Sequence, residues 1–442
     1  MKKSFNFLIC ALLICTVVWS LWGCADNLSY EQEPATNNVR EQLKTNLSHE
    51  VTQAEARENL EKLLLEMKIS STRGGDAMQI PPITSVYTRG KAALATRAGE
   101  EVEPYFHIFN FGDNEGFAIM SGDDRVEPLL ALTFKGELTP ETEIDNPGFE
   151  IAYEKMEEYY IARIGADTIP SIGFDDPILP PTDSIEWPEI PDDQIPVRYE
   201  VTDSLAYYEM VCGYCPTSWH QDSPYNDFCE TKRGERAKAG CVAISVGQLM
   251  ATYMYPPSYN GQNFNWIEMQ NSAPNISGRY QVAKLIQLLG LRENLKMDYG
   301  VDGSDADPER IPGTLSNFGY ANGGTLIDYN SGIVIGELRN GYPVLIGGYS
   351  SEGGHRWLAH GLMELHHRRK GYNASDEIVF NHTYLGGYYL LFNWGFDGFH
   401  DGFYLSGVFD ANIPPAYSTP TRSTQDLNFS SDMTAVVNIR KN

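Results

Sequence analysis

Positive charge is what this chain has least of. Over 442 residues, 33 Lys and Arg stand against 59 Asp and Glu, a formal net charge of −26. Such a field repels phosphate backbones and anionic lipid surfaces, which excludes nucleic acid as a partner and leaves no electrostatic route to a membrane. Cysteine is scarce too, with seven in all. Cys10, Cys15 and Cys24 fall in the N-terminal leader, leaving Cys212, Cys215, Cys229 and Cys241 for the body. No His-x-His and no second Cys-x-x-Cys accompanies Cys212-Gly-Tyr-Cys215, so a zinc site would need all four cysteines at irregular spacing, and no metal or other cofactor is expected. In an oxidising compartment a disulfide among Cys212, Cys215 and Cys229 stays open, though three residues cannot all pair. What the chain does have is apolar material, 42% of residues with 12% aromatic, enough for real cores. Its length predicts two or three domains.

The leader is informative. Lys2 and Lys3 precede the apolar run Phe7 to Trp19, and Leu21-Trp-Gly-Cys24 follows. The run is too short and one-sided to remain a membrane span and reads as a secretory signal over residues 1–23. Its end resembles a bacterial lipoprotein signal, in which Cys24 becomes the lipidated first residue. Trp22 is bulkier than usual there, so lipidation and simple cleavage both stay open. Either way export is expected, with the protein on the outer membrane or cell surface, or secreted after processing. Any tie to a membrane would run only through a lipid on Cys24, and residues 24–46 read as a polar tether.

Residues 47–166 are expected to form a small α+β unit. Thr52-Gln-Ala-Glu55 is a capping-box pattern ahead of Leu60, Leu63, Leu64 and Met67 on one helical face. Residues 105–125 read as a hairpin around Gly112-Asp-Asn-Glu-Gly116, Leu129 to Phe134 as a strand, and Phe149 to Arg163 as a helix. Residues 167–198 are an acidic linker with prolines at 170, 177, 180, 181, 188, 191 and 196. Such stretches are where chains are cut. The second body, 199–442, places helices first (Cys241 onward, then Arg279 to Leu295) and Gly-punctuated β runs second, predicting two subdomains with a cleft between them.

Within that body Cys241 follows Gly240 at the expected start of a helix that Pro256 and Pro257 would stop. A thiol there meets unpaired N–H groups and the positive end of the macrodipole, which favour the thiolate. Taken alone, such a cysteine reads first as a small buried hydrophobe. A thiolate nucleophile also needs a base and a group to hold that base. His355 follows two glycines at the head of a strand, while His366 and His367, before Arg368-Arg-Lys370, read as a solvated turn. The corner Asn393-Trp-Gly395 could offer an amide or an indole N–H to fix an imidazole. Upstream, the Gln221 side chain with the Cys241 N–H would make a two-donor oxyanion hole.

In chain order these stretches resemble the streptopain family of bacterial papain-like cysteine peptidases. The likeness is carried by Gln221 within Gln-x-x-Pro-Tyr-Asn, Gly240-Cys-Val-Ala243, Gln248-Leu-Met250, Met297-Asp-Tyr-Gly300, Asn317-Phe-Gly-Tyr320, Gly353-Gly-His355, Asn393-Trp-Gly395 and Asp401-Gly-Phe403. The N-terminal unit, with Gly116 to Arg125, resembles the inhibitory propeptide domain found ahead of such enzymes. The resemblance implies a papain-like α+β peptidase of helical and β-rich halves, made as a zymogen, with protein or peptide substrates and its own propeptide as intramolecular inhibitor. It implies Cys241 as nucleophile, His355 as base, Gln221 as oxyanion donor, and Trp394 ahead of Asn393 as the residue that orients the imidazole. It also implies an apolar side chain two residues before the scissile bond. This chain departs from the family pattern at Ile244, Ser245, Phe396, Asp397 and Arg356. Arg356 stands where a small residue usually follows the histidine, and its charge would disfavour an imidazolium beside it. A catalytically weak homologue that serves as a binding or inhibitory lipoprotein is the alternative, and a Cys-His acyl transferase a third reading.

Overall fold

The capping box forms as its residues demand. In the computed structural model the Thr52 N–H donates to Glu55 Oε2 at 2.8 Å and the Glu55 N–H to Thr52 Oγ1 at 3.3 Å, opening helix α1, Gln53–Thr72. Leu60, Leu63, Leu64 and Met67 are buried along its one apolar face. The structure describes residues 49–72, 82–90, 105–164, 198–209, 215–271, 275–350, 353–373, 375, 377–410 and 433–442. The leader and tether, nearly all of the linker at 167–198, and Cys212 lie outside the described residues.

The hairpin comprises β2 (Phe106–Phe111) and β3 (Phe117–Ser121), followed by β4 (Leu129–Thr133) and helix α2 (Pro147–Ile164). Ahead of them β1 (Ile83–Arg89) pairs antiparallel with β2. Its sequence shows no alternating apolar face because it is a partly exposed edge strand.

The second body begins with β5 (Arg198–Glu209) and then turns helical: α3 (Cys241–Tyr253), α4 (Trp266–Gln270), α5 (Ile276–Leu289) and α6 (Ile311–Asn317). Helix α5 starts three residues before the expected Arg279, where the Asn275 side chain accepts the Gly278 N–H. It ends at Gly290, short of the expected Leu295. After β6 (Asn322–Asp328) and α7 (Ser331–Arg339) come β7 (Val344–Tyr349), β8 (Gly354–Tyr372), β9 (Ile378–Asn393), β10 (Gly402–Leu405) and β11 (Thr434–Arg440). His366 and His367 are not in a turn: they lie inside the long β8–β9 hairpin, paired with Leu385 and Tyr384. The chain reverses instead around Asn373, whose side chain accepts the Ser375 and Glu377 N–H groups.

Eleven strands make one sheet, in the order β1-β2-β3-β4-β10-β9-β8-β7-β11-β6 with β5 pairing along β8. The N-terminal unit therefore does not stand apart. Its β4 continues the sheet onto β10, with Thr133, Leu132 and Ala131 opposite Gly402, Phe403 and Tyr404, and residues 49–442 form one compact unit. Strands β7, β8 and β11 feed a core on each face, as the two-residue period requires. Ile346, Trp357 and Ala435 join a first core shared with the N-terminal unit. Leu345, Leu358 and Val436 join a second core built from α3, α5 and α6. The fold is α+β, with a helical half and a β-rich half meeting at the first turn of α3.

Candidate active site

Helix α3 starts at the cysteine because Gly240 can hold φ 86°, and a side chain there would run into Met297 Cε at 2.3 Å. From Val242 to Ala251 the helix is buried on every side, which anchors its first turn against the sheet. It ends at Tyr253, ahead of the two prolines, because Met254 turns left-handed (φ 51°). Gln221 is brought to this turn by the backbone: its carbonyl accepts the Ala239 N–H at 2.8 Å, two residues before the thiol. Gln221, Cys241 and His355 line one cavity of about 840 Å³.

His355 opens β8, opposite Gly348 of β7, and is buried. Its Nε2 lies 2.8 Å from the main-chain carbonyl of Trp394. A carbonyl only accepts, so Nε2 carries the proton and Nδ1 is left to face the thiol as an acceptor. Burial pushes the Cys241 thiol up. Once Nδ1 has taken the thiol's proton, the imidazolium's hydrogen bond to Sγ and its charge, with the Arg356 N–H and guanidinium, pull the other way, and the balance lies below the ordinary value. Arg356, read from sequence as an adverse charge beside the base, thus works on the thiolate.

The orienting group is neither of the side chains expected. The Trp394 indole N–H donates to the His400 carbonyl at 2.8 Å, and the Asn393 amide is engaged elsewhere. Asn393 Oδ1 accepts from Gln248 Nε2 at 2.6 Å and from the Gly395 N–H at 3.0 Å, while its Nδ2 donates to the Thr217 carbonyl at 2.8 Å. Both groups have buried partners of their own, and the main-chain carbonyl of Trp394 holds the imidazole. Two residues absent from the expected set complete the arrangement. Gln248, two turns along α3 from Cys241, ties the thiol's helix to the Asn393 corner. Asp401 accepts the Trp394 N–H at 2.9 Å and so fixes the peptide unit next to the one that receives His355. Both sat inside motifs quoted above, Gln248-Leu-Met250 and Asp401-Gly-Phe403. The aromatic cluster of Trp357, Phe392, Trp394 and Tyr404 fills in behind, with ring centroids 4.8–5.8 Å apart.

The N-terminal unit covers this site. Asn146 caps α2 by accepting the Gly148 and Phe149 N–H groups at 3.1 and 3.3 Å, and its Nδ2 donates to the Phe399 carbonyl at 3.1 Å. That seats Gly148 on the His355 and Trp394 rings, while Thr142 to Asp145, Pro147 and Glu150 wall the cavity.

Residues 219–404 match the model of the Peptidase C10 family, and residues 48–160 match that of the Spi protease inhibitor. Residues 219–404 thus resemble the peptidase C10, or streptopain, family, with an inhibitor-like region ahead of them. Over 206 residues the chain is 25% identical to the thiol protease/hemagglutinin PrtT of Porphyromonas gingivalis, covering 46% of this chain but only 22% of that protein. Among solved structures it is similar to a fragment of Prevotella intermedia prointerpain A, at 19% identity and TM-score 0.49 over 81% of this chain and 100% of that one. Active interpain A from the same organism is 21% identical, with TM-score 0.33 over 52% of this chain and 93% of that one.

Cys215 and Cys229 are free thiols, so no disulfide joins them. Burial pushes both up, Cys229 to about 11, which sets them apart from Cys241.

Two groups at the seam between inhibitor domain and peptidase titrate in opposite senses. Burial raises the Asp401 carboxyl from 3.8 to about 7, so the folded state holds its proton more tightly than the unfolded chain. That contribution to stability is full below pH 3.8 and is lost as pH rises through about 7. Burial lowers the His400 imidazole from 6.5 to about 4, so its contribution is full above pH 6.5 and is lost as pH falls through about 4. The two slopes oppose each other. Asp401→Asn should therefore make stability rise more steeply with pH across this window, by up to about 1.4 kcal/mol per pH unit. Urea melts of both proteins from pH 4 to 8 check this; parallel slopes would show that Asp401 titrates normally.

Proposed function

We propose that this chain is an exported cysteine endopeptidase made as a zymogen. In this reading residues 1–23 are removed as a signal and 24–46 form a tether held to the outer membrane or cell surface through a lipid on Cys24. Residues 47–166 inhibit, cutting within 167–198 activates, and 199–442 hydrolyse protein or peptide substrates. The observation that carries the proposal is the pairing of a thiol held below its ordinary pKa with an imidazole whose Nε2 is locked on the Trp394 carbonyl, in one cavity with Gln221.

The chemistry follows from those positions. Cys241 gives its proton to His355 Nδ1, and Sγ bonds to the substrate carbonyl carbon. The oxygen becomes an oxyanion that accepts from the Gln221 amide and the Cys241 N–H at the first turn of α3. Collapse breaks the C–N bond, and His355 protonates the departing amine. A water molecule, deprotonated by His355, then attacks the thioester, releasing the acid and restoring the thiol. The Trp394 carbonyl keeps the same ring nitrogen facing Cys241 throughout, with Asn393, Gln248 and Asp401 as positioning residues.

Limited proteolysis in the linker followed by iodoacetamide or an epoxide at neutral pH tests nucleophile and zymogen together. Cys241 should label rapidly after cutting and slowly before it, read by peptide mass mapping. Equal and slow labelling in both states would favour the weak homologue that binds without cutting.

A further inference from the structure

Arg356 is the one residue beside the thiol that the reaction above does not need. It follows His355 on β8 and projects from the opposite face, over Gly347 of β7, where a side chain would lie 2.5 Å from Nη2. Gly347 therefore makes the room that the guanidinium fills. Nη2 donates to Thr434 Oγ1 of β11 at 2.8 Å. The residue is only 6% exposed, yet Nη1 is buried with no hydrogen-bond partner. Among the described residues no carboxylate pairs with it; its ionisable neighbours are the Cys241 thiol and the Tyr349 hydroxyl. Burial lowers its pKa to about 10, so it stays cationic at neutral pH.

A buried, half-satisfied cation is an expensive way to hold a fold, since a well-packed apolar residue would stabilise the same position at least as well. Its field does favour the thiolate, but that uses only the charge and leaves the directed donors of Nη1 unpaired. Tyr349, one of its two ionisable neighbours, is 60% exposed at the end of β7, so the guanidinium lies close to the surface, and its chain neighbour His355 lines the cavity. The adjoining cavity already accommodates carboxylates, since the inhibitory segment brings Glu143, Asp145 and Glu150 into its walls.

We propose that Arg356 makes this peptidase selective for substrates with an acidic side chain beside the scissile bond, the substrate carboxylate pairing with the unpartnered Nη1 beside Cys241. The inference rests on the peptidase reading above and replaces the apolar preference that family resemblance implies.

The test uses the full-length precursor, activated by cutting its linker, and quenched fluorogenic peptides. The peptides are identical except for Glu, Gln or Leu at one of the three positions before the scissile bond. At one position Glu should exceed Gln in kcat/KM by about tenfold or more, the scale of a hydrogen bond to a charged group. Arg356→Gln should abolish that ratio, and Arg356→Lys should keep part of it. The wild-type ratio alone decides the matter should either variant fail to fold. Glu and Gln peptides cleaved within about threefold of each other at every position, a gap under 1 kcal/mol, would overturn the proposal while labelling of Cys241 kept the peptidase reading intact. A Glu preference that survived in Arg356→Gln would overturn it too. Absence of both cleavage and labelling would sink the peptidase reading and this inference with it.

Discussion

Cys241→Ala should lower kcat/KM of the activated protein by about 10⁴-fold or more and leave the precursor unable to trim itself. The size of the loss follows from the absence of an understudy among the described residues. Cys215 is buried with its thiol pushed up by that burial, and Cys229 is pushed up to about 11, so neither offers a thiolate at neutral pH. His355→Ala should cost nearly as much, and the double variant little more than either single one, because thiol and imidazole act as one unit. Folding is not at issue. Cys241 is only partly buried, and its side chain is not among the large packed groups of either core. Progress curves on casein and unchanged melting temperatures check both halves of the statement. A Cys241→Ala protein that still trims itself and cleaves casein would mean that another residue attacks the substrate.

Local signals carried much of this site. The thiol's helix was legible because Gly-Cys ahead of an apolar period and a proline stop are all written within twenty residues of one another. The head of β8 was legible because Gly353-Gly-His355 breaks one run and begins the next. The orienting contact was not, since a main-chain carbonyl has no residue-type signature. The sequence showed an amide and an indole at 393 and 394, but only packing reveals that the first is taken by Gln248 and Thr217 and the second by the His400 carbonyl. The continuous sheet was hidden for a similar reason. Leu129–Thr133 and Gly402–Leu405 each read as strands, yet nothing in either marks the other as its partner across some 270 residues. Where a strand is half exposed, as at Ile83–Arg89, even its existence escapes a period-two search.

Under the proposed function, that shared sheet also says how inhibition would be built. Two of the places where the inhibitor domain meets the peptidase region are β4 on β10 and the N-terminus of α2 on the imidazole. Between them Lys135 reaches the Asp397 carbonyl at 2.8 Å and stands 4.0 Å over the Phe399 ring. The strand contact supplies main-chain pairing that continues the sheet, and the helix contact supplies the obstruction. The two functions should therefore separate by mutation.

Gly148→Ala is the change that separates them. A Cβ at this position would sit 2.3 Å from Trp394 Cε3 and 2.7 Å from His355 Cδ2. Neither ring can step aside, because His355 is pinned to the Trp394 carbonyl and the indole to the His400 carbonyl. Helix α2 must lift instead, and overpacking of this kind costs roughly 1–3 kcal/mol. Within the helix itself alanine is better than glycine by about 1 kcal/mol, so the inhibitor domain is not weakened; only its seat on the peptidase is. The uncut Gly148→Ala precursor should thus react with iodoacetamide at Cys241 about ten- to a hundredfold faster than the uncut wild type, the displacement that 1–3 kcal/mol allows. Gly336→Ala, at a half-buried helix position where nothing lies within 4 Å of the added carbon, should leave that rate unchanged. Equal labelling rates for Gly148→Ala and wild type, with the linker intact in both, would place the obstruction elsewhere along the segment from Thr142 to Glu150.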